Sequence, residues 1–164
     1  MTPDLDNRSE IDHGGQGDHP PTESAALLVH ASAVCLAGKG VLLLGPSTSG
    51  KSDLALRLID AGAVLIADDQ VYLSVEQGRL LARPPERLAG LIEIRGMGIM
   101  RVPFEAGSLD LAVDLLPAGS ITDLLPESQS ATYLGIALPR IGIEATAASA
   151  VARIRMALNA ERVV

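Results

Sequence analysis

The run Gly45-Pro46-Ser47-Thr48-Ser49-Gly50-Lys51-Ser52 constrains this chain more than any other feature. It matches G-x-x-x-x-G-K-[ST] at each fixed position. The apolar residues Val41-Leu42-Leu43-Leu44 precede it, and a stretch with helical periodicity follows. A loop that wraps phosphate oxygens in backbone N–H groups needs Gly45 and Gly50, because such turns use dihedrals closed to residues with a Cβ. The following helix would aim the positive end of its dipole at the same anion. Lys51 supplies a mobile cation for the terminal phosphates, and the Ser52 hydroxyl can ligate magnesium. The competing account is a chance Gly/Ser turn, which average residue frequencies produce in roughly one chain in a hundred of this length. The strand before the loop and the helix after it cut that figure further. Residues 45–52 are therefore read as a nucleotide- or phosphate-binding loop, which by itself does not identify the phosphoryl acceptor.

The rest of the composition narrows the class. A length of 164 residues suits one domain with a real core. Aromatic residues make up 2% of the chain, so the core must be aliphatic, and platforms for stacking nucleic-acid bases are missing. Thirteen Lys and Arg stand against twenty Asp and Glu, a net charge of -7. That field repels phosphate backbones, so no nucleic-acid partner is expected. A single cysteine, Cys35, excludes an internal disulfide and a Cys-based zinc cluster. It lies in an apolar run and reads as a small core residue rather than a redox switch. No apolar run approaches the length of a membrane span, and residues 1–10 are polar and acidic, unlike a secretory leader. The expectation is a cytoplasmic protein with no membrane partner.

Residues 1–24 carry Pro3, Pro20, Pro21 and a Gly-rich run with few large apolar groups. Such a segment cannot offset its ordering entropy, and it reads as a disordered tail ahead of a folded domain over 25–164. His13 and His19 fall in it and read as solvated, with metal binding the alternative. Beyond the tail, 27–29 and 33–36 read as one strand or two short ones, and 41–44 as a strand covered on both faces. A helix is predicted over 52–61, with Leu54, Ala55, Leu58 and Ile59 inward and Asp53 paired to Arg57. Gly62 suits its C-terminal cap. Strands follow at 64–66, 71–75, 80–82, 91–94 and 109–116, the last with Leu109, Leu111, Val113 and Leu115 on one face. Residues 133–143 read as one strand or a pair. An amphipathic helix over 147–161 turns Val151, Ile154 and Leu158 inward and Arg153, Arg155 and Arg162 outward, as a docking surface or a solvated face. The fold class is α/β, a mixed sheet with a phosphate-loop helix and a C-terminal helix.

Two further stretches carry chemistry. Residues 64–67 run straight into Asp68 and Asp69, one helix and one strand after the loop, which predicts a β-loop-α-β unit with the acids beside the loop. One acid could lie near a metal and the other could take a proton from an attacking hydroxyl, although an acidic pair after a strand also serves as a turn or helix cap. Glu93-Ile94-Arg95-Gly96-Met97-Gly98-Ile99 places an acid in an apolar strand, which calls for a metal or for pairing with Arg95.

Taken together, the loop, the Ala67-Asp68-Asp69 segment and the stretch from Leu91 through Ile99 resemble the C-terminal catalytic domain of HPr kinase/phosphorylase. Val29-His30-Ala31 extends the likeness, which covers about residues 27–160, and the Glu93-to-Ile99 segment is its most specific part. The resemblance implies a P-loop kinase core of the HPr kinase/PEP carboxykinase-like type, in the short single-domain form. It implies an ATP- and Mg2+-dependent protein serine kinase acting on an HPr-like phosphocarrier of the phosphotransferase system, and a homo-oligomer, the family hexamer. By position, Lys51 and Ser52 would handle the nucleotide phosphates and magnesium, and Glu93 would be a second magnesium ligand. Asp69 would be the catalytic base with Asp68 in support, the two being exchangeable on sequence alone. His30 would sit near the transferred phosphoryl; taken alone it reads as a hydrogen-bonded strand histidine.

Two departures stand out. The family's Pro-Gly-Arg-Asn segment, tied to the reverse phosphorolysis, falls where this chain reads Thr146-Ala147-Ala148-Ser149. A family arginine falls near Asp123-Leu124-Leu125, with Arg140 or Arg101 as spatial substitutes. The expectation is a kinase with weak or no reverse activity. An ATP-responsive module without transfer and a small-molecule kinase are the rival functions.

Overall fold

The computed structural model describes residues 26–121 and 126–163. The predicted tail and Asp123-Leu124-Leu125 lie outside the described residues. The described chain forms β1 (Leu27–His30), β2 (Ser32–Leu36), β3 (Lys39–Leu44), α1 (Lys51–Asp60), β4 (Val64–Ala67), β5 (Gln70–Glu76), β6 (Arg79–Arg83), β7 (Leu91–Ile94), β8 (Gly98–Arg101), β9 (Gly107–Leu116), β10 (Gln129–Tyr133), β11 (Ile136–Glu144) and α2 (Ala150–Asn159). A single sheet runs β1-β5-β6-β9-β3-β2-β4, with β11 on β9 and β10 on β11, while β7 and β8 form a separate hairpin. Among the described residues, no helix is long and apolar enough to cross a membrane.

The sheet curls about β9. Its start pairs with β6 through Gly107 and Ser108, and its remainder pairs in parallel with β3 and with β11. Two apolar layers result, one on each face. Val41, Leu43, Leu65, Leu111, Val113 and Leu115 pack with Leu54, Leu58 and Ile154 of the helices. Leu42, Ile66, Leu109 and Ala112 pack with Val71, Leu73 and Leu80 of the curled-over strands. The unbroken run 41–44 is the sequence record of a strand sealed on both sides, as expected; Val41, Leu42 and Leu43 are each 0% exposed.

Helix α1 forms where predicted. Leu54, Ala55 and Leu58 are buried, and Arg57 Nε donates to Asp53 Oδ2 at 3.1 Å on the outer side. Gly62, at φ +107°, ends it: its N–H reaches the Ile59 carbonyl and the Ala63 N–H reaches that of Leu58, at 3.0 and 2.9 Å. Helix α2 is shorter than the predicted 147–161. Successive turns close from Ala147 N–H to Glu144 O and from Ala150 N–H to Ala147 O, and they occupy the residues before it begins. Its faces are as read: Ile154 is buried, Val151 and Leu158 half-buried, and Arg153 and Arg155 exposed.

Four details differ from the sequence reading. Leu109 does not share a face with Leu111, Val113 and Leu115. The β3–β9 register slips at Gly40/Val41, leaving Asp110 as an extra residue, and this bulge turns Leu109 to the opposite layer. The strand ending in the acids is not the immediate neighbour of β3. β2 lies between them, antiparallel to both, so β3 and β4 run parallel and deliver their C-terminal ends to one edge. Gly98–Arg101 is a strand rather than loop; it is exposed throughout, so no buried face gives it an alternating pattern. Cys35 is half-buried against the second layer instead of sealed in a core, and burial pushes its thiol pKa up.

Candidate functional site

The loop after β3 folds back on itself. A Cβ on Gly45 would fall 2.5 Å from Ser49 Oγ, and Gly50 sits at φ +95°. Thr48, a β-branched residue, is held at φ +69°, a conformation such side chains rarely adopt. The Lys51 side chain curls over this loop and is 7% exposed. Its Nζ donates to the carbonyls of Gly45 at 2.7 Å and Pro46 at 2.8 Å. Burial lowers its pKa from the usual lysine range, with the charges of Asp69 and then Asp68 pulling the other way.

Opposite the loop, the end of β4 presents its two acids in different settings. Asp68 is 5% exposed. It accepts from Ser32 Oγ at 2.7 Å, from Ser52 Oγ at 2.8 Å and from the Glu93 N–H at 3.2 Å. One buried carboxylate thus joins β2, the first turn of α1 and β7. Asp69 takes φ +69°, and its side chain is 62% exposed. His30 Nδ1 lies 3.4 Å from Asp69 Oδ1, and His30 Nε2 lies 3.5 Å from Ser47 Oγ on the loop. A cleft of about 600 Å³ opens between these elements, with His30, Lys51, Ser52, Asp69, Glu93 and Arg95 among its walls.

The structure therefore brings together every site residue named from the sequence. The residues of the loop from Ser47 to Ser52, with His30, Asp69 and Glu93, line the cleft, and Asp68 lies behind Ser52. Gly45 and Pro46 hold the lysine through their carbonyls. The suggested Glu93–Arg95 pairing does not form among the described ion pairs; both side chains are exposed and face the cleft, so neither acid nor base is buried in the strand. Arg140 and Arg101 do not line the cleft, and Arg140 is tied to Asp114 through Nε and Nη2 at 2.5 and 2.9 Å. Thr146, at the start of the Thr146-Ala147-Ala148-Ser149 segment, does line it.

Several cleft residues carry no site role in the sequence reading, Ser32, Leu56 and Arg95 among them. Ser32 is the polar residue of an otherwise apolar strand and 0% exposed, a signal that a buried partner is required. Leu56 lies one helical turn beyond Ser52 and so shares its face. The sequence offers Arg95 only as a partner for Glu93.

Ser52, Asp68 and Glu93 offer hydroxyl and carboxylate oxygens alone. That is the donor chemistry magnesium prefers when one or two carboxylates act together with substrate phosphates and water. Among the described residues no group of three His, Cys, Asp or Glu is placed to hold a metal ion by itself. The residues present fit magnesium.

Fold and cleft define a class: a mixed α/β protein whose curled sheet sets a glycine-rich loop, with its lysine and serine, against an acidic strand end. A family model described as HPr Serine kinase C-terminal domain matches residues 23–160, and the chain belongs to that family. The chain is 35% identical over 116 residues to the HPr kinase/phosphorylase of Clostridium tetani, covering 71% of this chain and 36% of that protein. To the HPr kinase/phosphorylase of Caldicellulosiruptor bescii it is 46% identical over 74 residues, covering 44% and 24%. It thus spans well under half the length of these curated relatives. The solved structure of the Hpr(Ser) kinase/phosphatase from Coxiella burnetii superposes with a TM-score of 0.70 at 28% identity, over 80% of this chain and 87% of that one.

Proposed function

We propose that this chain is an ATP- and magnesium-dependent serine kinase whose substrate is an HPr-like phosphocarrier protein of the phosphotransferase system. The observation that carries the reading is the Ser52–Asp68 hydrogen bond, which ties loop to strand end while the adjacent Asp69 projects into the same cleft. Phosphoryl transfer asks the protein mainly for positioning and charge stabilisation. The backbone of residues 45–50 and the start of α1 hold the phosphate chain, and Lys51 exchanges two carbonyl partners for phosphate oxygens. Ser52 and Glu93 would be the oxygen donors that hold magnesium, which when bound would neutralise phosphate charge, with Asp68 fixing the Ser52 hydroxyl from behind. Asp69 accepts the proton of the incoming serine hydroxyl, and His30 orients Asp69 from its other side.

Asp68, saturated by two hydroxyls and an amide, serves as the positioning acid; this exposure contrast favours Asp69 as the base. The Thr146-to-Ser149 segment brings no cation to the cleft wall, which supports weak or absent phosphorolysis. The deciding experiment incubates the protein with γ-labelled ATP, magnesium and a purified HPr-like carrier. Label on a carrier serine is expected. Labelling of a small metabolite instead, or ATP binding with no transfer to the carrier, would sink the reading.

A further inference from the structure

A small alcohol needs only the space before Asp69, whereas a serine on a folded protein brings a footprint with it. A standard protein interface buries about 800 Å² on each partner, a disc of roughly 16 Å radius. Surface within that distance of Asp69 therefore meets any protein acceptor. On one side, it is the outer face of the curled-over strands. Asp69 leads directly into β5, where Gln70 pairs with His30 of β1 and Tyr72 pairs with Leu28. On its other flank, Tyr72 pairs with Arg83 of β6. Paired residues share a face, and alternation puts Gln70 with Tyr72 and His30 with Leu28. The opposite face belongs to Val71, Leu73 and Ala82, buried in the second layer. Two residues of β5 advance about 7 Å and each step between strands about 5 Å, so the whole row lies inside the footprint.

The row is apolar and basic. Leu28 is 48% exposed on β1, an edge strand paired only with β5. The Arg83 guanidinium lies 5.4 Å from the centre of the Tyr72 ring, and Arg87 Nη2 donates to Gln70 Oε1 at 3.2 Å. Both cations are thereby held beside the row while remaining exposed. Tyr72, Arg83 and Arg87 border an open groove of about 870 Å³, in which Glu86 is the single acid. The chain carries a net charge of -7, which repels an acidic partner; this patch reverses that sign next to the acceptor end of the cleft. Tyr and Arg are also the side chains that most often dominate interface energetics.

We propose that the outer face of β1, β5 and β6, from His30 and Gln70 to Leu28, Tyr72, Arg83 and Arg87, is the docking surface for the protein acceptor. It selects a folded partner that carries acidic and apolar groups beside its serine. This rests on the kinase reading above. The arginines steer the partner and fix its register, and Leu28 and Tyr72 supply the apolar contact. None of the four touches the phosphate loop, so they act on the acceptor and leave the nucleotide alone.

The test uses a purified HPr-like phosphocarrier and measures two things at low salt: its binding to the protein with ADP and magnesium present, and the KM for carrier in γ-phosphate transfer. Arg83→Glu combined with Arg87→Glu should weaken carrier binding and raise its KM by about tenfold or more, with KM for ATP within about twofold. Arg83→Lys combined with Arg87→Lys keeps the charge and should stay within about threefold of wild type. Added salt should weaken carrier binding to wild type more steeply than to the charge-reversed protein. If charge reversal leaves carrier binding and KM unchanged, the proposal is wrong even where wild type labels the carrier. If Arg153→Glu on α2 produces the loss instead, the carrier docks on that helix and the proposal is equally wrong. If wild type binds the carrier through the two arginines but never labels it, the transfer reading fails and the docking surface stands. A carrier neither bound nor labelled by wild type would overturn both.

Discussion

Asp68 and Asp69 are chain neighbours in opposite surroundings, and the contrast gives separable outcomes. Asp69→Asn replaces the exposed carboxylate proposed as the base without disturbing a packed network. Transfer to the carrier should fall by at least about a hundredfold while nucleotide affinity, followed with a fluorescent analogue, stays within about threefold. Lys51 gives a pH-dependent outcome. Burial holds its pKa below the ordinary value of 10.5, so between the two values the unfolded chain binds more protons than the native one. The burial penalty is present in full at neutral pH and is relieved as pH rises toward 10.5. Lys51→Met lacks this titration. In urea unfolding at a series of pH values, the stability difference between the two proteins should therefore shift toward wild type as the solution becomes alkaline. A difference independent of pH would contradict the assigned cause.

Gly40 shows how an element junction is held. A Cβ there would lie 2.1 Å from the Ser108 carbonyl oxygen, and its N–H donates to Asp110 Oδ2 at 2.9 Å. This is the point where the β3–β9 register slips, and Arg79 reaches the same Asp110 carboxylate at 3.3 Å. Gly40→Ala must push two backbones apart at the strand that leads into the loop. Urea denaturation should show a loss of about 1–3 kcal/mol, with the cleft disturbed as well because β3 carries the loop. Periodicity could not reveal this bulge, since Leu109-Asp110-Leu111 alternates perfectly on paper and the extra residue appears only in the partner's register. The β7–β8 hairpin was half legible for a related reason. Its return strand is exposed along its length, so its apolar residues, Ile99 and Met100, stand in solvent and mark no buried face.

The molecule as a whole rests on one sheet serving two apolar layers. Leu42 and Leu43 are adjacent in β3, fully buried, and belong to opposite layers. Leu42→Ala and Leu43→Ala should each cost about 2–5 kcal/mol in denaturant unfolding. Because β3 and β9 border both layers, each variant should still unfold in one transition seen alike by far-ultraviolet dichroism and by a probe on either layer. Two separated transitions would mean that the layers are independent.

What the chain alone determined is local: the loop's glycines, lysine and serine in an unbroken motif, the sealed strand before it, the stripe of α1 with its glycine cap, and the acids ending β4. Each is written in residues close together in sequence, where dihedral limits and periodicity act directly. Tertiary structure decided which acid is buried, because the partners of Asp68 come from β2, α1 and β7, far apart along the chain. It also decided that β2 separates β3 from β4, and that Arg95 rather than Arg140 or Arg101 faces the cleft. Strand order and side-chain access arise from long-range packing, and residue spacing does not encode them.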